Sequence, residues 1–469
     1  MRYVLNYRYR FRGWYKLPVC ILDTQTMNIR TFTIPEYKLL LKCDGAHDLN
    51  QEDLTEAEQR LLESFLRMEL IHEAASGELL QEHQIYKVYP ARYKKEVQWS
   101  ITGACNLKCR HCFMSAPHAK HGSPSHEEII QIADQLAECG IFHAGITGGE
   151  PLIRDDFMEI MDALLEREIQ VSNIYTNGWL VDEAFLDALE KRGLHPSFQL
   201  SYDGKGWHDF LRGVAGSEAR TDQALKLLQK RNYDVSVSMS LHKKNADSIR
   251  ETVNHLAKYG VKYLKLGTIM ELGEWAGPQL QNLSITAEEA FEYAADYIPQ
   301  YFEDNAPLDI MLCSSFTYSH AKEEWSFYAL RECDETHENE LSCPSLGDSV
   351  YLGADGVVSP CMGMADCAFA SNFPNLKDMP LREILSDSDY VKYAYASVGD
   401  VRDGNDECRN CAFISRCTAG CRNTALIKGN NYYAVDPEVC VFHKHGWEDR
   451  MKQIIEPAYA AYKARNKIQ

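Results

Sequence analysis

The sequence lacks any run of apolar residues long enough to cross a membrane, which takes about 20 in succession. Its start alternates Tyr and Arg after Met1 and has no apolar core of the kind that a secretion signal needs. Positive charge is also scarce, since 49 Lys and Arg stand against 68 Asp and Glu, a net charge of −19. We therefore expect a cytoplasmic protein with no membrane partner, and binding to a nucleic-acid backbone is excluded as its main activity.

Cysteine, by contrast, is plentiful and unevenly distributed. Of the 16 cysteines, ten lie at or after Cys313. In a large cytosolic chain this number indicates metal or redox chemistry rather than disulfides. The early Cys20, Cys43 and Cys139 fit small buried apolar positions. The length of 469 residues, with 45% hydrophobic and 25% charged residues, predicts a soluble globular protein of two or three domains.

Three cysteines lie together in the run CNLKCRHCF, directly after an apolar, alternating segment that predicts a strand. Three thiolates on one loop can hold three irons of a cubane cluster and leave the fourth iron open for a substrate or cofactor. Structural or zinc-binding cysteines are the alternative, but zinc sites usually take four ligands in paired spacings. The spacing of Cys105, Cys109 and Cys112, with the aromatic Phe113 after the last, resembles the radical S-adenosylmethionine (SAM) enzymes.

That resemblance implies a SAM site built from segments that follow the predicted strands. Gly148-Gly149-Glu150-Pro151 matches the family's GGEP motif, which contacts the SAM amino group; a plain turn is the alternative. Arg212 lies in a segment whose arginine can bind the SAM carboxylate, although a surface arginine is an equal alternative. The other candidate SAM contacts are Phe113, Asn177, Ser201 and Ser240.

From about residue 95 to 300, predicted strands and helices alternate. Ser125 and Glu128 form a capping box at the start of one helix. Six such repeats predict a parallel sheet with right-handed crossovers, and the resemblance implies an α/β partial barrel, (β/α)6, with its active site at the carboxyl ends of the strands. The predicted strands are 97–102, 142–147, 171–176, 198–202, 235–241 and 263–269.

The cysteines near the end of the chain form a second pattern. Cys343 is followed by Gly356 and Cys361, then by a C-x2-C-x5-C-x3-C run and a last cysteine, which resembles the SPASM domain. A zinc ribbon is the alternative for the four-cysteine run. The resemblance implies two auxiliary [4Fe–4S] clusters. The fourth ligand position of the second cluster is open or unassigned. Cys333 is the first candidate for it, and Cys313 and Cys367 are poorer ones. The ligands of one are Cys408, Cys411, Cys417 and Cys440, and those of the other are Cys343, Cys361 and Cys421.

The first 92 residues differ from the barrel pattern. Strands are predicted at 7–15, 19–23 and 28–33, with a turn near Arg12-Gly13, and helices at 35–41 and 55–68, the second with a Thr55/Glu58 capping box. Residues 1–43 hold eight basic and two acidic side chains. The segment resembles the PqqD-like winged-helix element that binds leader peptides of ribosomally made, post-translationally modified peptides (RiPPs). A structural domain that only packs on the barrel is the alternative.

These patterns predict four regions: a peptide-recognition domain (1–92), a radical SAM barrel (93–305), a bridging region (306–335) and a SPASM domain ending in a helix (336–469). This order resembles that of sactipeptide and ranthipeptide thioether synthases. It implies an enzyme that uses SAM and three [4Fe–4S] clusters to take hydrogen from a precursor peptide and form a thioether, with flavodoxin or ferredoxin as electron donor. The alternative reactions are a carbon–carbon or carbon–oxygen crosslink, epimerisation and formylglycine formation. The alternative to an enzyme is a protein whose clusters serve only electron transfer or sensing.

Overall fold

In the computed structural model, which describes residues 1–50, 53–330 and 337–467, the chain begins with a module of two small sheets and two helices. The first and fifth strands pair antiparallel, and the other four form a sheet in the order β4-β3-β2-β6. The elements are β1 (Tyr3–Leu5), β2 (Tyr9–Tyr15), β3 (Leu17–Asp23), β4 (Ile29–Thr31), α1 (Ile34–Leu41), α2 (Glu56–Arg67), β5 (Ile71–Glu73) and β6 (Lys87–Arg92).

Local sequence explains most of this module. The predicted capping box of α2 is confirmed. The Thr55 side chain accepts a hydrogen bond from the Glu58 backbone amide, and the Glu58 side chain accepts one from the Thr55 backbone amide. The predicted turn near Arg12-Gly13 is wrong. Both residues lie inside β2, and the chain reverses at Lys16, which has a φ of 70°. Gly13 serves close packing instead, since a Cβ there would lie 2.7 Å from the Pro18 carbonyl oxygen.

The central part of the chain alternates strands and helices. All six predicted strands are present, each within two residues of its expected ends, and they pair parallel in sequence order. The elements are β7 (Glu96–Ser100), α3 (His126–Glu138), β8 (His143–Thr147), α4 (Phe157–Glu166), β9 (Gln170–Thr176), α5 (Glu183–Lys191), β10 (Ser197–Ser201), α6 (His208–Arg212), α7 (Ser217–Lys230), β11 (Val235–Leu241), α8 (Ile249–Ala257), β12 (Tyr263–Thr268) and α9 (Ala287–Glu303).

The two faces of this sheet have different surroundings. Val237, Leu264 and Leu266 point outward and are buried in one core with helix residues such as Val253 and Leu256. Side chains at the alternating positions are only partly buried, as on β11, whose burial alternates along all seven residues. They point to the opposite side, which is the inside of the barrel. We call this space the lumen.

The sheet continues beyond the six predicted strands. A seventh strand pairs parallel with β12, and two antiparallel strands follow it. These strands lie within residues 306–335, the predicted bridging region, so this segment extends the barrel sheet. They are β13 (Asp309–Leu312), β14 (Phe316–Ser319) and β15 (Glu324–Phe327).

The last third of the chain joins the opposite edge of the same sheet. Its first strand pairs parallel with β7, so the full order is β15-β14-β13-β12-β11-β10-β9-β8-β7-β16-β17. Among the described residues, no helix is long and apolar enough to span a bilayer. The elements are α10 (Pro344–Asp348), β16 (Ser349–Leu352), β17 (Val358–Ser359), α11 (Leu381–Asp387), α12 (Asp389–Ala394), α13 (Val398–Asp403), α14 (Asp406–Arg409), α15 (Arg422–Gly429), α16 (Pro437–Lys444) and α17 (Trp447–Asn466).

Candidate functional site

The loop that carries the first three cysteines leaves β7 at its carboxyl end, where active sites of parallel barrels lie. Backbone bonds fix it on two sides. The Gly103 amide donates to the Gly122 carbonyl over 2.7 Å, and the Arg110 amide donates to the Leu211 carbonyl of α6 over 2.8 Å. The loop therefore has a defined shape that is held from outside its own sequence.

The three thiols of this loop lie close enough to influence one another. Burial raises the pKa of Cys105 to about 12, and the charges of Cys109 and Cys112 act in the same direction. Backbone amides donate to two of the sulfurs: Leu107 to Cys105 over 3.4 Å and Ala116 to Cys112 over 3.2 Å. Three half-buried thiols with N–H donors aimed at the sulfur fit the ligands of an iron–sulfur cluster, whose irons favour thiolates and whose sulfur ligands are tuned by such bonds.

The glycine pair after β8 packs directly against this loop. The Gly149 amide donates to the Thr102 carbonyl over 2.7 Å, and the Glu150 amide donates to Ala104 over 2.9 Å. A Cβ on Gly149 would lie 2.2 Å from the Ala104 carbonyl oxygen, and one on Gly148 would lie 2.6 Å from that of Thr102. The glycines are needed here because the two backbones touch.

Replacing Gly149 by Ala is expected to push the cysteine loop out of position. Overpacking of this kind costs about 1–3 kcal/mol, and a displacement of about 1 Å at an active site can lower the rate roughly 100-fold. Iron content after reconstitution and SAM cleavage should both fall. Gly277→Ala is the matched control, because its Cβ would meet nothing nearer than 3.8 Å. Wild-type iron content and cleavage in Gly149→Ala would contradict the packing argument.

Glu150, the third residue of the motif, is fully buried and already bonded within the protein. Its carboxylate accepts from the Thr176 hydroxyl and the Asn177 amide, each over 2.7 Å, and from the Leu152 amide over 3.2 Å. Burial raises its pKa to about 7, which these three donors oppose. The side chain therefore ties the ends of β8 and β9 together. Pro151 begins a short 3-10 turn directly after it.

Three of the predicted SAM contacts lie on one side of the cysteine loop. The side-chain amide nitrogen of Asn177 donates to the side-chain oxygen of Asn106 in the loop over 2.8 Å and lies 4.0 Å from the Cys105 sulfur. Ser201 ends β10 and pairs in register with Ser238 of β11. The Ser240 amide donates to Asp203 over 3.0 Å. The structure thus gathers Asn177, Ser201 and Ser240 at the carboxyl ends of neighbouring strands.

Arg212, the candidate for binding the SAM carboxylate, is buried rather than on the surface and is paired within the protein. Its Nε donates to Asp203 over 2.6 Å, and its Nη1 lies 3.6 Å from the Cys109 sulfur. Burial raises the pKa of Asp203, but the charge of Arg212 holds it down at about 2. This pair links the cysteine loop to the end of β10. Phe113 is half-buried, and its carbonyl packs against Gly273.

Sequence reasoning gave no role to Asp203 or to the histidines near it. The Asp203 amide donates to the His208 ring over 3.0 Å, and burial lowers the pKa of His208 to about 3. His111, between two of the cysteines, is half-buried, and desolvation of its ring lowers its pKa to about 4. A charged residue that directly follows an apolar strand was the available signal for Asp203.

A small pocket near the end of the chain is lined by four cysteines and mainly apolar neighbours. It lies between α14 and α16, and its lining includes Phe413, Ile414 and Val439. Four thiols around one space fit a [4Fe–4S] cluster, for which four cysteine thiolates are the usual ligand set. The four are Cys408, Cys411, Cys417 and Cys440, the set that the SPASM resemblance assigns to one cluster.

Three more cysteines form a separate group. Burial raises the pKa of Cys361 to about 11, and the charges of Cys421 and Cys343 act in the same direction. Burial also raises the pKa of the Tyr328 phenol, and the charges of all three thiols act in the same direction. Cys343, Cys361 and Cys421 are the set assigned to the other auxiliary cluster.

The fourth ligand of this group has three candidates in the sequence. Cys333 lies outside the described residues. The Cys367 thiol donates to the Met364 carbonyl over 3.2 Å, and Cys367 packs in one cluster with Cys343 and Cys361. Cys313 belongs to a different core, at the end of β13. Within the described ranges, no three His, Cys, Asp or Glu side chains are placed to hold a single metal ion.

A charged contact joins the cysteine loop to the last third of the chain. His121 lies 2.6 Å from Asp355 and 3.5 Å from Asp366, and Lys120 pairs with Asp366 as well. The bond to Asp355, followed by that to Asp366, raises the pKa of His121 to about 9. The protonated imidazole therefore fastens the SAM-cluster loop to the region of the auxiliary thiols.

This contact should make stability depend on pH. Because the folded pKa of His121 lies above its unfolded value of about 6.5, the stabilisation is complete below pH 6.5 and is lost as pH rises through about 9. Denaturant unfolding should show His121→Gln roughly 2–3 kcal/mol less stable than wild type at pH 6 and nearly equal at pH 10. His118→Gln, an exposed histidine of the same loop, is the control. A constant difference across this range would contradict the assignment.

Comparison with known proteins agrees with this geometry. Residues 99–256 match the family model of the radical SAM superfamily, and residues 343–412 match that of the SPASM iron–sulfur cluster-binding domain. The chain carries a radical SAM domain and a SPASM domain. A radical SAM domain is catalytic, so the chain is an enzyme, and the cofactors of the two domains are SAM and iron–sulfur clusters. The thiol groups described above fit those clusters.

Among curated relatives, the chain is 27% identical over 289 residues to the sporulation killing factor maturation protein SkfB of Bacillus subtilis, covering 61% of this chain and 62% of SkfB. It is 30% identical over 177 residues to the subtilosin biosynthesis protein AlbA of the same organism, covering 37% of this chain and 39% of AlbA. The chain therefore spans less than two thirds of either relative.

Among solved structures, SuiB of Streptococcus suis bound to SAM superposes with a TM-score of 0.62 at 17% identity, covering 93% of this chain and 99% of SuiB. SuiB has also been solved with its precursor peptide SuiA. This likeness establishes a shared fold along almost the whole chain.

Proposed function

We propose that this enzyme modifies a ribosomally made precursor peptide by removing a hydrogen atom from it and joining the resulting carbon to a cysteine sulfur. The observation that carries the proposal is the position of the three-cysteine loop at the carboxyl end of β7, with two further thiol groups in the SPASM domain. SkfB and AlbA, which act in the maturation or biosynthesis of peptide products, support a peptide substrate.

The residues around the loop have separable tasks in this proposal. When bound, the cluster and SAM supply a 5′-deoxyadenosyl radical, which can take hydrogen from an unactivated carbon. Cys105, Cys109 and Cys112 hold three irons and leave the fourth for the amino and carboxylate groups of SAM. Gly148 and Gly149 keep their backbone close to that position. Phe113, Asn177, Ser201 and Ser240 line it, while Arg212 adds positive charge beside Cys109.

Thioether formation needs an electron acceptor. The peptide loses one hydrogen atom from carbon, one proton from the thiol and one electron. Auxiliary [4Fe–4S] clusters at the two SPASM thiol groups are suited to take that electron. Flavodoxin or ferredoxin is the external donor of the electron that SAM cleavage consumes. A [4Fe–4S] cluster held by Cys343, Cys361 and Cys421 would have one ligand position left, which a substrate thiolate or Cys333 can fill.

We also propose that the N-terminal module binds the leader segment of the precursor as an added strand. In its four-stranded sheet one edge, β6, is covered by α11, to which it is joined by the bond from Arg92 to the Ser386 carbonyl. The other edge, β4, is exposed. An extended peptide can pair with such an edge through main-chain hydrogen bonds. The basic side chains of residues 1–43 favour an acidic leader.

The register of β4 allows a sharp test of leader binding. Phe32 and Asn28 bond to β3, so the alternate residues, Ile29 and Thr31, direct their amides away from it. Thr31→Pro removes one outward amide and should weaken binding of a fluorescent leader peptide by about tenfold or less, since one hydrogen bond contributes roughly 1 kcal/mol. Thr31→Val keeps the amide and should bind like wild type. Equal affinity of both variants would leave β4 without a role in leader binding.

The reaction itself is tested with anaerobically reconstituted protein, SAM, a reductant and candidate precursor peptides chosen from short open reading frames that neighbour the gene. We expect 5′-deoxyadenosine and a peptide lighter by two hydrogens, with the new bond at a cysteine sulfur. The same mass loss without sulfur involvement would indicate a carbon–carbon or carbon–oxygen crosslink, and no mass change would indicate epimerisation. An absence of deoxyadenosine with every peptide tried would overturn the proposed activity.

A further inference from the structure

A lysine lies in the middle of β12, one of the central strands of the barrel. Both neighbours of this strand, β11 and β13, are paired with it in register. Lys265 stands between Leu264 and Leu266, which are buried against the outer helices, so its side chain points into the lumen. It is exposed there. Lysine is uncommon in strands, so a lysine that points into the barrel calls for an explanation.

The lysine belongs to the same layer of the barrel as the candidate SAM contacts. Along this layer Ser201 pairs with Ser238, Ser238 with Lys265, and Lys265 with Met311. Adjacent strands lie about 4.8 Å apart, which places Lys265 about 10 Å from Ser201. A group bound at its ammonium would therefore lie inside the barrel, below the space next to the cysteine loop.

The lysine has no carboxylate partner in the part of the chain that the structure describes. Asp309, the inward acid on the neighbouring strand, is bonded to the amide of His320 over 3.0 Å. The Ser238 hydroxyl beside Lys265 accepts from Gln199 over 2.9 Å. Across the lumen, the lysine charge acts on the Cys361 thiol and opposes the rise that burial causes in its pKa. Among the described residues, no carboxylate therefore neutralises this ammonium, which has three donors to offer.

The strand also leaves room next to this ammonium. Gly267, two residues on and on the same face, has no atom within 4 Å of where its Cβ would be. The carboxyl end of β12 contacts the SPASM domain, where Glu438 accepts from Thr268 and Lys428 pairs with Glu271. The lumen at Lys265 is therefore a polar recess below the rim of the barrel that carries the cysteine loop and contacts the SPASM domain.

We infer that Lys265 binds the side-chain carboxylate of an Asp or Glu residue in the substrate peptide. This inference rests on the proposed peptide substrate and adds the chemistry of one of its residues. A lysine–carboxylate bond is charge-assisted, and the serine hydroxyls of the lumen can donate to the same group. In a chain with a net charge of −19, an unpaired cation inside the barrel is a local attraction for a carboxylate.

The test uses the reconstituted full-length enzyme with SAM and two short probes, Ac-Gly-Glu-Gly-NH2 and Ac-Gly-Gln-Gly-NH2. Their dissociation constants are measured by NMR titration for wild type, Lys265→Gln, Lys265→Arg and Lys262→Gln. Lys262 is an exposed lysine just before the same strand and serves as the matched control. Because Lys265 is exposed, its replacement should leave folding intact, which thermal unfolding checks.

We expect wild type and Lys262→Gln to bind the Glu probe about tenfold more tightly than the Gln probe, as the loss of one charge-assisted bond predicts. Lys265→Arg should keep most of this preference, and Lys265→Gln should lose it. Equal binding of the two probes by wild type would overturn the inference. So would loss of the SAM-induced change in the electron paramagnetic resonance spectrum of Lys265→Gln, which would place the lysine in the SAM site.

A third outcome would also overturn it: an unchanged probe preference in Lys265→Gln together with an altered spectrum of an auxiliary cluster, which would make the lysine a cluster neighbour of Cys361. The probe comparison needs no turnover. Failure of wild type to form deoxyadenosine would count against the proposed reaction alone, and failure of the probe preference would count against Lys265 alone.

Discussion

Replacing Cys105, Cys109 or Cys112 by Ala should abolish 5′-deoxyadenosine formation. Each of these thiols would hold one iron, and with two ligands left the loop cannot keep the cluster that SAM must bind. The Leu107 and Ala116 amides donate to the sulfurs of Cys105 and Cys112, so the loop is shaped around these ligands. Deoxyadenosine is measured by liquid chromatography after anaerobic incubation with SAM and reductant.

Iron analysis separates this effect from general damage. Each variant should lose about four irons per chain while both SPASM thiol groups keep theirs. Cys139→Ala is the control, since Cys139 is a buried residue at the end of α3 that is assigned to no cluster. Substantial SAM cleavage by any of the three loop variants would show that the cluster is held elsewhere.

Replacing Cys408 or Cys440 by Ala should leave some SAM cleavage and stop formation of the crosslinked peptide. Both residues line the four-thiol pocket between α14 and α16, away from the cysteine loop at the carboxyl end of β7. Hydrogen removal can therefore proceed, but the electron that the crosslink releases has lost its acceptor. Mass spectrometry of the peptide and chromatography of deoxyadenosine are run on the same reaction.

Cys139→Ala is the control for this prediction as well. Its thiol is buried at the end of α3 and belongs to neither thiol group, so its loss removes a small apolar contact and leaves the four-thiol pocket intact. That variant should form product at a near wild-type rate. Full product formation by Cys408→Ala would remove the electron-transfer role from this pocket.

Local sequence determined much of what could be predicted. The Ser125/Glu128 and Thr55/Glu58 capping boxes start their helices where expected, because each involves residues three apart and needs nothing distant. The six barrel strands follow from apolar alternation. The turn predicted near Gly13 is wrong because glycine occurs both in turns and where two backbones pack closely. Only the folded sheet shows that Gly13 serves close packing.

The rest depended on contacts between distant segments. β13 to β17 were not predicted, since short strands at the edges of a sheet form only when a partner such as β7 is already in place. Asp203 and Arg212 meet because α6 returns to the cysteine loop, which spacing alone does not reveal. The sequence left Arg212 as a SAM-carboxylate ligand or a surface residue, and only the fold shows that it is buried; its role toward SAM stays a prediction.

The pairing of Glu96 with Ser349 has a consequence for how the chain is made. During translation the first barrel strand emerges long before the segment that covers its outer edge, a delay on the order of 10 to 50 s at ordinary elongation rates. Until then the nascent chain presents a bare, hydrogen-bonding edge, which invites aggregation. A fragment that ends near residue 305 would keep that edge permanently, so truncated versions should be recovered from cells mainly in inclusion bodies.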